Sequence, residues 1–282
     1  MSKKQQESTE PGTALEELKP AALSTDVYGA DEVGAGFEDL TQEDLAIPFF
    51  AILQKGSPQV EEGGPAYIEG AKAGQFFNTV TKEFYDGRDK GTRFIPVHHD
   101  HKFIEWRPRD DGGGLVSVHE ATSEFVVNAR KGAPKFGKIE VEGGNELAET
   151  FSVFGILVKE NGDYEFGILT FGSTQIKHYK RWMTQARSVT VRDGEGRRVT
   201  PPLYAHVYRL RTRLEQNKHG TWFGYDIRFD GPSAEACRLK RDDELYLAAK
   251  SFRDLVVSGA AKAATDSLKR EGGGEGDDGF EM

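Results

Sequence analysis

Between Leu203 and Phe229 the chain alternates with period two, twice in succession, and the alternation sorts apolar from basic side chains. In Leu203–Arg213 one face carries Tyr204, His206, Tyr208 and Leu210; the other carries Val207, Arg209, Arg211 and Arg213. In Thr221–Phe229, Phe223, Tyr225, Ile227 and Phe229 share a face, and Trp222, Gly224, Asp226 and Arg228 share the opposite one. Successive side chains of a strand point to opposite sides, so these segments predict two strands joined by the polar loop containing Asn217 and Gly220. The apolar faces make core, which leaves Arg209, Arg211, Arg213, Trp222 and Arg228 on one outer surface. Three arginines on one strand face repel one another unless an anion sits between them. Phosphates pairing with arginine, and bases stacking on tryptophan, are the chemistry of single-stranded nucleic-acid binding. The plainer alternative is a solvated face with Trp222 covered by a loop or helix.

The chain between Phe49 and Phe171 is read the same way. Phe49–Leu53 is a short apolar run ended by Gly56-Ser57-Pro58. Further strands are expected at Phe76–Val80, Arg93–His98, His101–Arg107, Leu115–His119, Phe151–Val158 and Tyr164–Phe171. Turn signals separate them at Asp86-Gly87, Asp110–Gly114, Gly143-Gly144-Asn145 and Asn161-Gly162-Asp163, the last reading as a tight hairpin. Phe151–Val158 is apolar at nearly every position and should sit centrally. From Ser173 the period changes: Ile176, Tyr179, Met183 and Ala186 form one helical stripe, with Lys177 and Arg181 on another face. Leu245, Ala248, Phe252, Leu255 and Val256 make a second stripe, with Gly259 as its stop, and Thr41 can cap a short helix that Pro48 interrupts. Short strands with one internal and one late helix predict an α+β, mainly β domain. The specific expectation is an oligonucleotide-binding (OB-like) barrel with inserted strands and helices.

Charge is distributed unevenly. The net charge is −9, yet residues 1–50 hold 3 basic and 11 acidic side chains, and residues 271–282 hold five acids and no base. Residues 177–218 hold 11 bases against 3 acids, so the acidic total says little against a polyanionic partner. Residues 1–40 read as a disordered acidic arm, 41–268 as the folded domain, and 269–282 as a disordered acidic tail carrying Phe280. One cysteine, Cys237, excludes an internal disulfide and a thiolate zinc cluster. With no run of eighteen apolar residues and no apolar leader, the chain is expected to be soluble, cytoplasmic and without a membrane partner.

Two motifs suggest other chemistry. Gly132-Ala133-Pro134-Lys135-Phe136-Gly137-Lys138 has the glycine and lysine spacing of a phosphate-binding loop, but Ile139 stands where a Ser or Thr must bind magnesium, and Ile139–Glu142 alternates like a strand. A basic β-turn is the better reading. His98-His99-Asp100-His101 could hold a divalent metal with His119 or Glu105, which would suit a metal-dependent nuclease. The tetrapeptide, however, falls where a hairpin turn is expected. No nucleophilic triad is recognisable, so no enzymatic activity and no cofactor are expected.

Three stretches carry a family resemblance. They are Phe171-Gly172-Ser173-Thr174-Gln175-Ile176-Lys177-His178-Tyr179-Lys180-Arg181-Trp182, the basic hairpin after Pro201-Pro202, and the Asp277-Asp278-Gly279-Phe280 terminus. With the expected architecture, they resemble phage-type single-stranded-DNA-binding proteins, which join an oligonucleotide-binding barrel to an acidic tail ending in an aromatic residue. The tail here runs two residues past Phe280 and lacks the Ile-Pro pair of the bacterial versions. The resemblance implies a protein that coats and protects single-stranded DNA in phage replication, recombination or repair, in the bacterial host cytoplasm. Lys177, Lys180, Arg181, Arg187, Arg192, Arg197, Arg198, Arg209, Arg211, Arg213 and Arg228 are then the phosphate contacts. Trp222 and Trp182 are stacking candidates, with Trp106 beside Arg107 as a third. Asp277, Asp278 and Phe280 would recruit a polymerase or a helicase/primase, and a homo-oligomer is compatible with all of this. The competing class is a phage structural or assembly protein that binds other proteins.

Overall fold

A computed structural model describes Gly36 and residues 46–133, 139–218, 220–259 and 262–263. Along the chain the elements are β1 (Ala46–Ile47), β2 (Phe50–Ile52), β3 (Phe76–Asn78), β4 (Phe84–Tyr85), β5 (Thr92–Trp106), β6 (Leu115–Glu120) and α1 (Glu124–Gly132). There follow β7 (Ile139–Glu140), β8 (Glu146–Val158), β9 (Tyr164–Gly172), α2 (Ile176–Ser188), β10 (Val191–Arg192) and β11 (Arg198–Val199). The last are β12 (Tyr208–Asn217), β13 (Gly220–Phe229), α3 (Glu244–Val257) and β14 (Lys262–Ala263). The chain is thus α+β and mainly β. The short helix expected at Thr41 lies outside the described residues, as do most of the arm and the whole tail.

Two long strands form the spine. β5 and β8 pair antiparallel from Arg93↔Val158 to Trp106↔Glu146. At one end β12 joins β5 through Tyr208↔Phe94, β13 joins β12, and β9 joins β8. At the other end β6 joins β5 and β7 joins β8. Phe151–Val158 is therefore central, flanked by β5 and β9, as its continuous apolar character requires. The Asn161-Gly162 hairpin forms as expected, with Gly162 at φ 93.

The turn expected at His98-His99-Asp100-His101 does not form. The tetrapeptide lies inside β5, which continues through it and slips register between Pro96 and His98. Pro96 has no N–H to give to a central ladder, and a bulge lets β5 pass that gap without ending. Partner residues along β8 outweigh the local polar signal.

Cores lie on both faces of the spine. On one, Phe94, Phe151, Val153, Phe171, Tyr208, Leu210 and Tyr225 are buried against α2, whose stripe Ile176, Tyr179, Met183 and Ala186 packs there as its period predicts. On the other, Ile95, Ile156, Val158 and Ile168 are buried beneath α3 through Ala249, Phe252, Leu245 and Leu255. Gly155 and Gly167 face each other across β8–β9. A Cβ on Gly155 would stand 2.2 Å from the Phe94 ring, and one on Gly167 2.2 Å from that of Phe50, so both positions need glycine for close approach. At the far end α1 buries Val126 against Phe103 and Leu147. The sequence reading placed no helix there, although Ser123 caps it by accepting from Val126 N–H at 3.3 Å.

Among the described residues the backbone ladders do not close into a barrel. The outer edge of β13 is met instead by side-chain amides: Gln54 donates to Phe223 O at 3.0 Å and accepts from Phe223 N–H at 2.7 Å. Gln175, just before α2, accepts from Tyr225 N–H at 3.2 Å. Edge groups are thereby satisfied without a further strand. No helix among the described residues is long and apolar enough to cross a membrane.

Candidate nucleic-acid interface

The β12–β13 register places Arg209 opposite Arg228, Arg211 opposite Asp226, Arg213 opposite Gly224 and Glu215 opposite Trp222. Alternation is as the sequence predicts: Tyr208, Leu210, Phe223 and Tyr225 are buried, while Arg211, Arg213 and Arg228 are exposed and Arg209 is half-buried. The repulsion among these arginines is relieved by carboxylates: Asp226 on the same face, and Glu215 and Asp230 beside it. Arg209 donates to Asp230 at 2.8 Å and to Gly91 O at 3.0 Å. Arg228 makes a two-pronged pair with Asp226 at 3.1 Å on each prong, and Arg213 pairs with Glu215 at 3.0 Å. Arg211 donates to the Lys90 carbonyl at 3.1 Å. Lys90, Arg209, Arg211, Asp226, Arg228, Phe229, Asp230 and Gly231 line an open pocket of 410 Å³.

α2 extends this surface. His178, Arg181 and Trp182 of the helix line a small cleft with Arg213, Tyr225, Asp226 and Ile227 of the hairpin. Asp226 borders both this cleft and the larger pocket, so the two adjoin, and Arg181, Arg213, Arg211, Arg228 and Lys90 line one basic stretch of surface, called the track below. Beneath it Glu215 contacts Lys177 at 2.8 Å, His178 at 3.0 Å and Arg213 at 3.0 Å. Burial works to raise the Glu215 pKa, but hydrogen bonds from Lys177, His178 and Arg213 and the charge on His178 outweigh it and leave it lowered. Burial lowers the pKa of His178 despite Glu215.

Trp182 is not a stacking platform. It is 1% exposed and packs in the core against Phe94, Phe171 and Tyr208. Its place in the sequence, three residues after Tyr179 and four before Ala186, put it beside the apolar stripe and carried that information. Trp222 is partly buried on the outer face, its Nε1 without a hydrogen-bond partner among the described residues. Exposed Lys180 and Arg187 also lie on α2.

The β10–β11 hairpin carries Arg192, Arg197 and Arg198, all exposed. Arg197 is tied to Asp193 at 2.8 Å and Glu195 at 2.9 Å, Arg192 to Gly196 O, and Arg198 to Thr190. Trp106 and Arg107 are not brought to the track. Trp106 lies twelve residues along β5 from Phe94, where β12 joins, or roughly 40 Å of strand. Asp277, Asp278 and Phe280 lie outside the described residues.

The structure does not gather the side chains of the metal reading on one face. Within β5, His98 shares a face with Asp100, at 3.5 Å, whereas His99 and His101 point to the other side. His101 pairs with Glu149 at 2.9 Å, and His119 with Glu105 at 2.7 Å. Among the described residues no three His, Cys, Asp or Glu side chains gather to hold an ion. The glycine-lysine motif at 132–138 begins at the last residue of α1 and leads to β7, the reverse of the strand-to-helix order a phosphate loop needs; residues 134–138 are outside the described set.

Among known families, the one described as Pam3 phage gp34-like protein matches residues 16–262. No curated protein and no solved structure matches.

Proposed function

We propose that this chain, which belongs to the Pam3 phage gp34-like protein family, binds single-stranded DNA along the track formed by α2 and the β12–β13 hairpin. The observation that carries this reading is the pair of clefts sharing Asp226, lined by Lys90, Arg181, Arg209, Arg211, Arg213 and Arg228. Guanidinium groups at that spacing, with Trp222 on the same outer face, suit a backbone that presents phosphates at regular intervals and bases with open ring faces. In this reading the sheet is an OB-like platform, open at β13, with α2 beside the binding surface. The role is coating and protection of exposed strands during phage replication, recombination or repair in the host cytoplasm, without catalysis and without a cofactor. Replication proteins, a polymerase or helicase/primase, would be met through Asp277, Asp278 and Phe280.

Titration of the full chain with labelled oligo-dT at two salt concentrations tests this. Binding that weakens steeply with salt is expected, because phosphate contacts release counterions. Absence of binding at low salt would remove the proposal. A second reading, a phage structural or assembly protein, draws on the exposed apolar side chains Val116 and Val118 of β6 and Phe125 and Val127 of α1. Copurification with virions and unchanged DNA retention on substituting Arg211 and Arg228 would favour it.

A further inference from the structure

A ladder of rings stands on the opposite flank of α2. His101 lies over Phe151 with centroids 4.2 Å apart and planes 11° from parallel, and Phe151 lies over Tyr179 of α2 at 4.3 Å and 20°. Phe151 and Tyr179 are buried, whereas 33% of the His101 side chain is exposed, so His101 forms the accessible end of the stack. Two exposed cations frame it. Lys180 Nζ is 5.9 Å from the centre of the Phe151 ring. On the other side Arg130 is 5.5 Å from Phe103, whose ring is 5.6 Å from His101. Glu149, at 2.9 Å from His101 Nε2, holds the imidazole in place.

Consecutive residues of a helix point about 100° apart. Lys180 faces this ladder while its neighbour Arg181 lines the cleft with Arg213 and Asp226. α2 is therefore a ridge with the arginine track on one side and the ring ladder on the other. A one-third-exposed imidazole backed by Phe151 and Tyr179, with Phe103 tilted beside it and two cations nearby, offers contacts to a nucleobase and its neighbouring phosphates.

We infer that His101 is a second base-stacking contact for single-stranded DNA, reached by a strand that leaves the arginine track and crosses α2 over Lys180. This rests on the reading that the track binds DNA. It adds a binding residue that the β5 sequence disguises as part of a metal-like cluster.

The test compares oligo-dT of about 4 and about 16 nucleotides, the ends of the usual range of site sizes, by fluorescence anisotropy on the full chain. His101→Ala should weaken the longer oligonucleotide by about tenfold and leave the shorter unchanged. His101→Phe, which keeps a ring on Phe151, should restore the longer one, and Lys180→Ala should reproduce part of the loss. Thermal melting of each variant identifies any that fails to fold, and the Lys180 variant, changed at the surface, then carries the comparison. If the ring and lysine variants bind the longer oligonucleotide as wild type does while Arg211→Ala loses affinity, the second contact is overturned and the track stands. An equal loss on both lengths also overturns it. If Arg211→Ala and Arg228→Ala change neither length, the track itself falls.

Discussion

Arg211 stands directly opposite Asp226 in the β12–β13 ladder, yet its guanidinium turns to the Lys90 carbonyl and leaves that carboxylate to Arg228. Arg211 is thus the hairpin arginine whose hydrogen bond goes to a neutral acceptor, and its charge is the most available to an incoming phosphate. Arg211→Ala should weaken single-strand binding about equally for different sequences and lower the slope of log affinity against log salt by about one. Arg228→Ala should do at least as much, since it also leaves the Asp226 carboxylate unpaired beside the phosphates. Equilibrium titrations over a salt series measure both.

The two tryptophans of the proposed interface should behave in opposite ways. Trp182→Ala removes a fully buried indole and should cost about 3–5 kcal/mol of stability by denaturant unfolding. Trp222→Ala should cost little stability but weaken single-strand binding about tenfold, the worth of one stacked base. Loss of DNA binding in a Trp182 variant that still melts like wild type would contradict its place in the core.

Glu215 makes stability depend on pH. Its folded pKa is lowered, so its contribution is complete above the unfolded carboxylate value of about 4.3 and disappears as pH falls through the folded value. Glu215→Gln should destabilise the domain by about 1–3 kcal/mol at pH 7, because Lys177, His178 and Arg213 lose their shared anion. Melting curves from pH 7 to pH 3 should converge for wild type and variant at the acid end.

Gly155→Ala should be among the most damaging single-methyl additions in the chain. The added carbon would meet the Phe94 ring at 2.2 Å and the Ile95 carbonyl at 2.6 Å, deep in the spine. A loss of about 3 kcal/mol or more, or no soluble protein, is expected in expression and unfolding trials.

Residues 271–282 carry five acids and no base on the same chain as the track. A tethered ligand acts at an effective concentration of about millimolar, so removing this segment should tighten oligo-dT binding several-fold at low salt. Phe280→Ala should leave DNA affinity nearly unchanged while weakening capture of a replication partner in pull-downs. Unchanged affinity in the truncation would show that these acids do not compete for the track.

Period and turn chemistry are local, and what depends on them was legible in the residues. Alternation placed the side chains of 208–213 and 221–229 on their faces, including the outward Arg209, Arg211, Arg213 and Arg228, but Leu203–Ala205 forms a 3-10 turn and the strand expected from Leu203 starts only at Tyr208. A 3.6-residue stripe located α2 and α3, and Asn161-Gly162 located the β8–β9 turn. Where a neighbour far along the chain decides, the residues alone did not suffice. The polar His98–His101 stretch reads as a turn, yet β8 holds it in a strand and a bulge absorbs Pro96. Among the described residues the ladders stop short of a barrel, and amides of Gln54 and Gln175, far from β13 along the chain, take its edge.

The same division runs through the candidate site. The sequence by itself determined a strand face of arginines beside a basic helix, because side-chain direction follows from backbone geometry within a few residues. Only the tertiary structure decided which charges remain available: Glu215 gathers Lys177, His178 and Arg213 across a separation of 38 residues in one case, and Asp230 takes Arg209. Tertiary structure also sent Trp182 to the core and kept Trp222 on the outer face, and it laid α2 against β13 so that Arg181 and Arg213 share a cleft. The reason is physical: ion pairing and burial act over a few ångströms of space, and distance along the chain does not specify distance in the fold.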